Sequence, residues 1–158
     1  MHKPSVHAAI LRRLREELAL FTTTARATHA EATHEENKAE DKYDTRGLEA
    51  SYLAIGQLKQ AEEARLAVEA FETLGARPFG PGEAVSLGAL VELDDREQSC
   101  YFIGPRAGGT EVELDGRPVM VITPPSPLGR QLMGRHAGDL LQLDLGGKRS
   151  SRRIATVS

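Results

Sequence analysis

The apolar positions of the first half recur as Leu11, Leu14, Leu18, Phe21, Ala25, Thr28 and Ala32. Their 3-4-3-4-3-4 spacing is a heptad seam and predicts a helix with a second helix packed along it. The seam shrinks from Leu and Phe to Ala and Thr, so the two helices should approach more closely toward its far end. A second helical run follows, with Leu48, Tyr52, Ile55, Leu58, Ala61 and Leu66 as its expected stripe. Between the runs, over residues 31–44, large apolar residues almost vanish. The economical reading is an antiparallel helical hairpin with its turn near residues 36–44. About 30 residues per arm at a rise of about 1.5 Å makes a rod roughly 45 Å long. Nothing else in the chain is large enough to wrap such a rod, so it is expected to protrude.

Past residue 75 the hydrophobic period falls to 2. Residues 84–93 put Val85, Leu87, Ala89, Val91 and Leu93 on one face of a predicted strand. Residues 99–103 make a second. In 111–122 the pair Asp115-Gly116 separates two alternating runs, a hairpin signal. Ser126-Pro127 then opens a short helix over 128–133, with Ser as N-cap, Pro at the first helical position and Gly134 as its stop. Residues 139–145, Gly146-Gly147 and 149–157 read as a last strand pair. The fold class is α+β: an N-terminal coiled-coil hairpin and a C-terminal twisted antiparallel sheet with one short helix.

Composition sharpens the division. Residues 1–75 hold one proline, Pro4, and residues 76–158 the other seven. A Gly after the last periodic residue, then Pro78 and Pro81, reads as a helix stop followed by a stiff linker. The expected domains are therefore 1–75, a linker over 76–82, and 83–158. No segment approaches the roughly 18 apolar residues that span a bilayer, and no apolar signal core follows Met1, so a cytoplasmic protein is expected. The formal net charge of −3 argues against a dedicated duplex-DNA binder, whose surface must neutralise many phosphates. Sequence-specific DNA binding and membrane association are not expected.

Self-contained catalytic chemistry is hard to find. Residues 106–109 and Gly146-Gly147 read as turns and not phosphate loops, and no His-Glu-x-x-His occurs among the five histidines. Cys100, the one cysteine, lies within a predicted strand and reads as a small core residue. The acidic segment differs. Residues 31–44 hold Glu31, Glu35, Glu36, Glu40, Asp41 and Asp44 against Lys38 and Lys42. Polar turns and the preference of carboxylates for helix N-termini account for part of this. Carboxylates at the end of a rod can also be delivered to a divalent cation. Mg²⁺ is typically held by one or two carboxylates plus water, and such an ion orients water for attack on a phosphodiester. Glu36 and Glu40 are spaced i, i+4, and Asp41 and Asp44 i, i+3; either pair can chelate.

A helical hairpin with an acidic tip, a Pro/Gly linker and a small sheet domain carrying Ser126-Pro-Leu-Gly-Arg-Gln-Leu-Met-Gly134 resembles the bacterial Gre transcript-cleavage factors. Their C-terminal domain carries a Ser-Pro-(Ile/Leu)-(Ala/Gly)-x-x-Leu-x-Gly helix, then Gly-Asp and a strand, here Gly138-Asp139-Leu-Leu-Gln-Leu. The resemblance implies an FKBP-like C-terminal domain, though not prolyl isomerase activity: this half has only Phe79, Tyr101 and Phe102 as aromatics. It also implies docking on the rim of the RNA polymerase secondary channel, with Ser126, Pro127, Leu128, Arg130, Leu132 and Gly134 at the docking surface. Down the channel, Glu36, Glu40 and Asp41 would be the catalytic acids that help hold a Mg²⁺ shared with the polymerase active centre. Cleavage of backtracked RNA would follow, performed by the polymerase, so that the chain itself is not an enzyme.

The tip departs from the family's Gly-Asp-x-x-Glu-Asn. Matching Glu36-Asn37 to its Glu-Asn puts Thr33 at the Asp; matching Tyr43 to the Tyr that follows puts Glu36 at the Asp and Ala39 at the Glu. A channel-binding inhibitor without cleavage is therefore the second expectation, and a coiled-coil adaptor for an unrelated protein the third. Arg12, Arg13 and Arg15 read as a solvated face that can also touch nascent RNA. Lys148, Arg149, Arg152 and Arg153 read as charges blunting an edge strand, or as a contact with polymerase acids.

Overall fold

The structure, a computed structural model, describes residues 1–38 and 45–158, and of residues 35–38, Arg46 and Leu145 the backbone alone. Its elements are α1 (Lys3–Lys38), α2 (Arg46–Leu74), β1 (Leu90–Asp94), β2 (Cys100–Ile103), β3 (Glu111–Leu114), β4 (Arg117–Ile122), α3 (Pro127–Leu132), β5 (Leu140–Leu145) and β6 (Lys148–Val157). Packing divides the chain into two units, one of Met1–Arg12 with Glu69–Ser158, the other of Arg13–Val68. No helix among the described residues is long and apolar enough to cross a membrane.

In the Arg13–Val68 unit the seam of α1 is where its spacing puts it. Leu14, Ala25 and Ala32 are buried, and Leu18, Phe21 and Thr28 are half-buried. The expected stripe of α2 is corrected in its first four positions, while Ala61 is buried and Leu66 half-buried. Leu48, Tyr52, Ile55 and Leu58 are all more than half exposed, while Gly47, Ala54 and Ala61 are buried and Ala50, Gln57 and Ala64 half-buried. These inward positions continue the same 3-4 alternation through 47, 50, 54, 57, 61 and 64, a heptad seam made almost wholly of Gly and Ala. The later part of the α1 seam is likewise small, at Ala25, Thr28 and Ala32. Gln57 interrupts the seam, and its amide oxygen is buried without a hydrogen-bond partner among the described residues.

The sheet has the order β3-β4-β2-β1-β6-β5. It is mixed, not wholly antiparallel: β2 and β4 run parallel, Cys100 opposite Val119 through Ile103 opposite Ile122. The chain leaves β2, crosses to the edge as β3, and turns back so that β4 fills the gap. That turn is the expected Asp115-Gly116 pair, with φ of 54° and 73° and Leu114 opposite Arg117. Two positive φ values define the type I′ turn whose twist matches a hairpin. The predicted strand over 84–93 begins only at Leu90. Val85 instead donates to the Arg135 carbonyl (2.7 Å) and accepts from Gly134 (2.8 Å), and a turn at 86–89 intervenes. Leu87 thereby points outward, 38% exposed. Nor is β6 an edge strand: it pairs with β5 and, from Arg153 onward, with β1. The basic residues Lys148, Arg149 and Arg152 sit on the part that pairs with β5 alone, because β6 has ten residues and β1 five.

One sheet face carries the main core, built from Val85, Val91, Leu93, Ile103, Ile122, Leu132, Leu141, Leu143 and Ile154. On the other, Leu90 and Phe102 are fully buried, and Phe102 stacks on Phe71 of α2 with ring centroids 5.9 Å apart. His7 joins them, its Nε2 2.8 Å from the Phe71 carbonyl oxygen. Gly104 lets Phe71 approach: a Cβ there would lie 2.7 Å from the Phe71 ring and 2.7 Å from Val121.

Candidate functional site

The short helix α3 is organised by its cap. Ser126 Oγ accepts from Gly129 N–H at 3.0 Å and donates to the Thr123 carbonyl at 2.7 Å, while Pro127 occupies the first helical position. Both features match the sequence. The cap draws the 123–126 turn tight against Gly129, so that any Cβ at 129 would overlap the Thr123 carbonyl oxygen. Leu128 is half-buried against the core, and Leu132 is completely buried in it. Leu132 therefore cannot touch a partner, and its place among the docking residues is corrected: it anchors α3 from beneath. Of the remaining expected residues, Pro127, Arg130 and Gly134 are exposed. Gly134 turns the chain with φ 78° and donates to Val85. Arg135 and His136, which follow at once, are exposed as well. α3 and the residues just after it thus expose two guanidinium groups and an imidazole, the latter with the Asp139 carboxylate 3.9 Å away.

Of the expected acidic tip, Glu40 and Asp41 lie outside the described residues. Glu36 falls in the last described turn of α1, where the backbone alone is described. Glu31 and His34 upstream are exposed. Among the described residues no group of three or more His, Cys, Asp or Glu side chains is arranged to hold a metal ion. Arg13, from the basic cluster of α1, pairs with Glu17 at 3.0 Å in the i, i+4 manner its spacing implies. Cys100 is buried, and burial pushes its thiol up to about 11, as befits an inert core residue.

Sequence reasoning missed one charged cluster. Lys3 is 5% exposed, donates to the Gly88 carbonyl at 3.3 Å, and lies 4.0 Å from the Phe79 ring centroid. Arg77 lies 3.9 Å from the same ring and pairs with Glu83 at 2.6 Å. The segment read as a stiff linker therefore grips the first turn of α1, and nothing in the spacing of a lone Lys near a terminus signals this. Burial first, then the like charge of Arg77, brings the Lys3 ammonium down to about 8, against the opposing pull of Glu83. The folded-state value lies below the unfolded one. The cost of holding Lys3 charged is thus fully present below about pH 8 and is relieved as pH rises from there toward 10.5. Lys3→Met removes the titrating group. Relative to wild type, the variant is expected to lose on the order of 1 kcal/mol between those two pH values in urea denaturation. A difference that stayed flat with pH would refute this.

A long helical pair with acidic sequence between its helices, and a sheet unit bearing a Ser-Pro-capped helix, define a two-unit, hairpin-and-sheet protein. The chain is 35% identical over 127 residues to the transcription inhibitor protein Gfh1 of Thermus thermophilus, an alignment covering 75% of this chain and 74% of that protein. To the transcription elongation factor GreA of Methylococcus capsulatus it is 27% identical over 163 residues, 99% of this chain and 98% of that one. The crystal structure of Thermus thermophilus Gfh1 aligns over 95% of each chain with 24% identity and a TM-score of 0.38. No family model matches the chain. It belongs to the Gre family, with Gfh1 and GreA as its relatives.

Proposed function

We propose that this chain is an RNA polymerase regulator that enters the secondary channel and inhibits transcription, its acidic segment reaching the active centre without stimulating RNA cleavage. The observation that carries this reading is the 35% identity to a transcription inhibitor over 127 residues. The departure of residues 33–40 from the Gly-Asp-x-x-Glu-Asn of cleavage factors supports it. On this reading α3 and its exposed Arg130 contact the channel rim, and the factor carries no catalytic activity of its own. The described residues offer no set of three metal ligands. On this reading any hold on the active-centre Mg²⁺ would come from Glu36, Glu40 and Asp41 together with donors that the polymerase supplies. The reverse outcome, stimulated cleavage of backtracked RNA, is supported by the likeness to GreA along 99% of the chain and by the six carboxylates of 31–44.

The test uses purified polymerase halted on a template and backtracked, with labelled RNA and Mg²⁺. Wild-type protein is expected to slow extension, to leave RNA length unchanged, and to block an added cleavage factor. The variant combining Glu36→Ala, Glu40→Ala and Asp41→Ala should still bind polymerase but lose most of the inhibition. RNA shortened by wild type alone would replace inhibition by cleavage. Absence of polymerase binding would overturn both.

A further inference from the structure

The residues that fail to enter the α1–α2 seam form a second seam of their own. Leu48, Tyr52, Ile55 and Lys59 follow one another at 4-3-4 spacing on the outer side of α2, and Leu58 flanks them. They are not marginally exposed: Leu48 is 53% exposed, Tyr52 66%, Ile55 51% and Leu58 52%. A helix with heptad spacing on two sides is built to pack against a helix on each, so the spacing specifies an α-helix as the missing neighbour. We propose that this face is a self-association surface, on which α2 of a second copy of the chain docks antiparallel.

The face is complementary to itself in that orientation. In an antiparallel coiled coil each a position meets a d position of the partner helix. With the two-fold axis between Leu53 and Ala54, Tyr52 of one copy lies opposite Ile55 of the other, twice, at the centre. One layer out, Leu48 lies opposite the methylene stem of Lys59. The Lys59 ammonium then reaches Glu49, which stands beside Leu48 and is exposed, as is Lys59. Apolar meets apolar and each cation meets a carboxylate, as a two-fold interface between identical surfaces requires. Two such faces with their flanks hide on the order of 1,000 Å² together, the lower bound for a specific interface, so a weak dimer with a Kd of about 10–100 µM is expected. The consequence for function rests on the channel entry proposed above: a hairpin with a second one against its side has that face covered, so pairing competes with entry. Self-association would then hold the factor in reserve at high concentration.

Light scattering of the full chain, from about 5 to about 500 µM, brackets that range. Wild type is expected to pass from monomer to dimer. Ile55→Glu and Glu49→Lys should each raise the Kd about tenfold or more, and the double variant Glu49→Lys, Lys59→Glu should restore it. Because these side chains are exposed, far-UV circular dichroism should be unchanged in all variants. Two results would overturn the proposal: a wild type monomeric throughout, or a dimer indifferent to Ile55→Glu. In the first case, loss of polymerase affinity in Ile55→Glu would assign the face to the polymerase.

Discussion

Gly129→Ala is expected to destabilise the sheet unit without unfolding it, because the Gre motif carries either Ala or Gly at this position and the 123–126 turn must shift to admit the methyl. The added Cβ overlaps the Thr123 carbonyl oxygen and comes within 2.8 Å of Ser126 Oγ and 2.9 Å of the Pro124 carbonyl oxygen. Two of these three are backbone atoms of the turn that forms the cap, so they cannot swing aside as a long side chain would. Relief requires the turn to shift, which strains the Ser126 cap and the seat of Leu132 in the core. Overpacking of this kind costs about 1–3 kcal/mol, and a loss in that range is expected here. Thermal unfolding followed by circular dichroism would check it, and a Tm within a few degrees of wild type would contradict the packing described. Ser126→Ala, which removes the cap but adds no atom, is expected to cost only about 1 kcal/mol.

The second large effect is Phe71→Ala. Phe71 is completely buried, stacks on Phe102, and occupies the space that Gly104 leaves open. Truncation removes the ring from between α2 and the sheet, and the glycine opposite offers no side chain to fill the void. The expected cost is about 3–5 kcal/mol, or roughly 15–30 °C in Tm for a unit of this size. Gly104→Ala with Phe71→Ala should be less damaging than the sum of the two, because the methyl then enters the space the ring vacated.

The elements that sequence reasoning found are those written in local chemistry. Ser126-Pro127 and Asp115-Gly116 each need particular residues at particular dihedrals, and both stand where expected. The seam of α1 was legible because its apolar residues keep the heptad spacing, and none of them is exposed. On α2 the same logic fails: size pointed to Leu48 and Tyr52, while burial follows the alanines that the narrowing of α1 had already announced. The parallel pairing of β2 with β4 was illegible for another reason, since strand order depends on which partners meet in space and not on any one strand. Val85 alternates correctly for a strand yet pairs with the residues after α3, a contact about 50 positions away that no window of sequence contains. Of the candidate site, the capped helix was legible in full; the role of Leu132 was not, because an amphipathic turn does not say which side faces a partner.

The Gly and Ala seam between α1 and α2 also governs how this chain can drift over evolutionary time. Ordinary cores accept exchanges among Leu, Ile, Met and Val because volume is roughly conserved. At Ala54 and Ala61, both at most 9% exposed, any larger side chain must find room in a buried seam. The inner surface of the arm is thus the one with the fewest acceptable exchanges. Among its relatives, the alanines that look most interchangeable should prove harder to replace than the leucines.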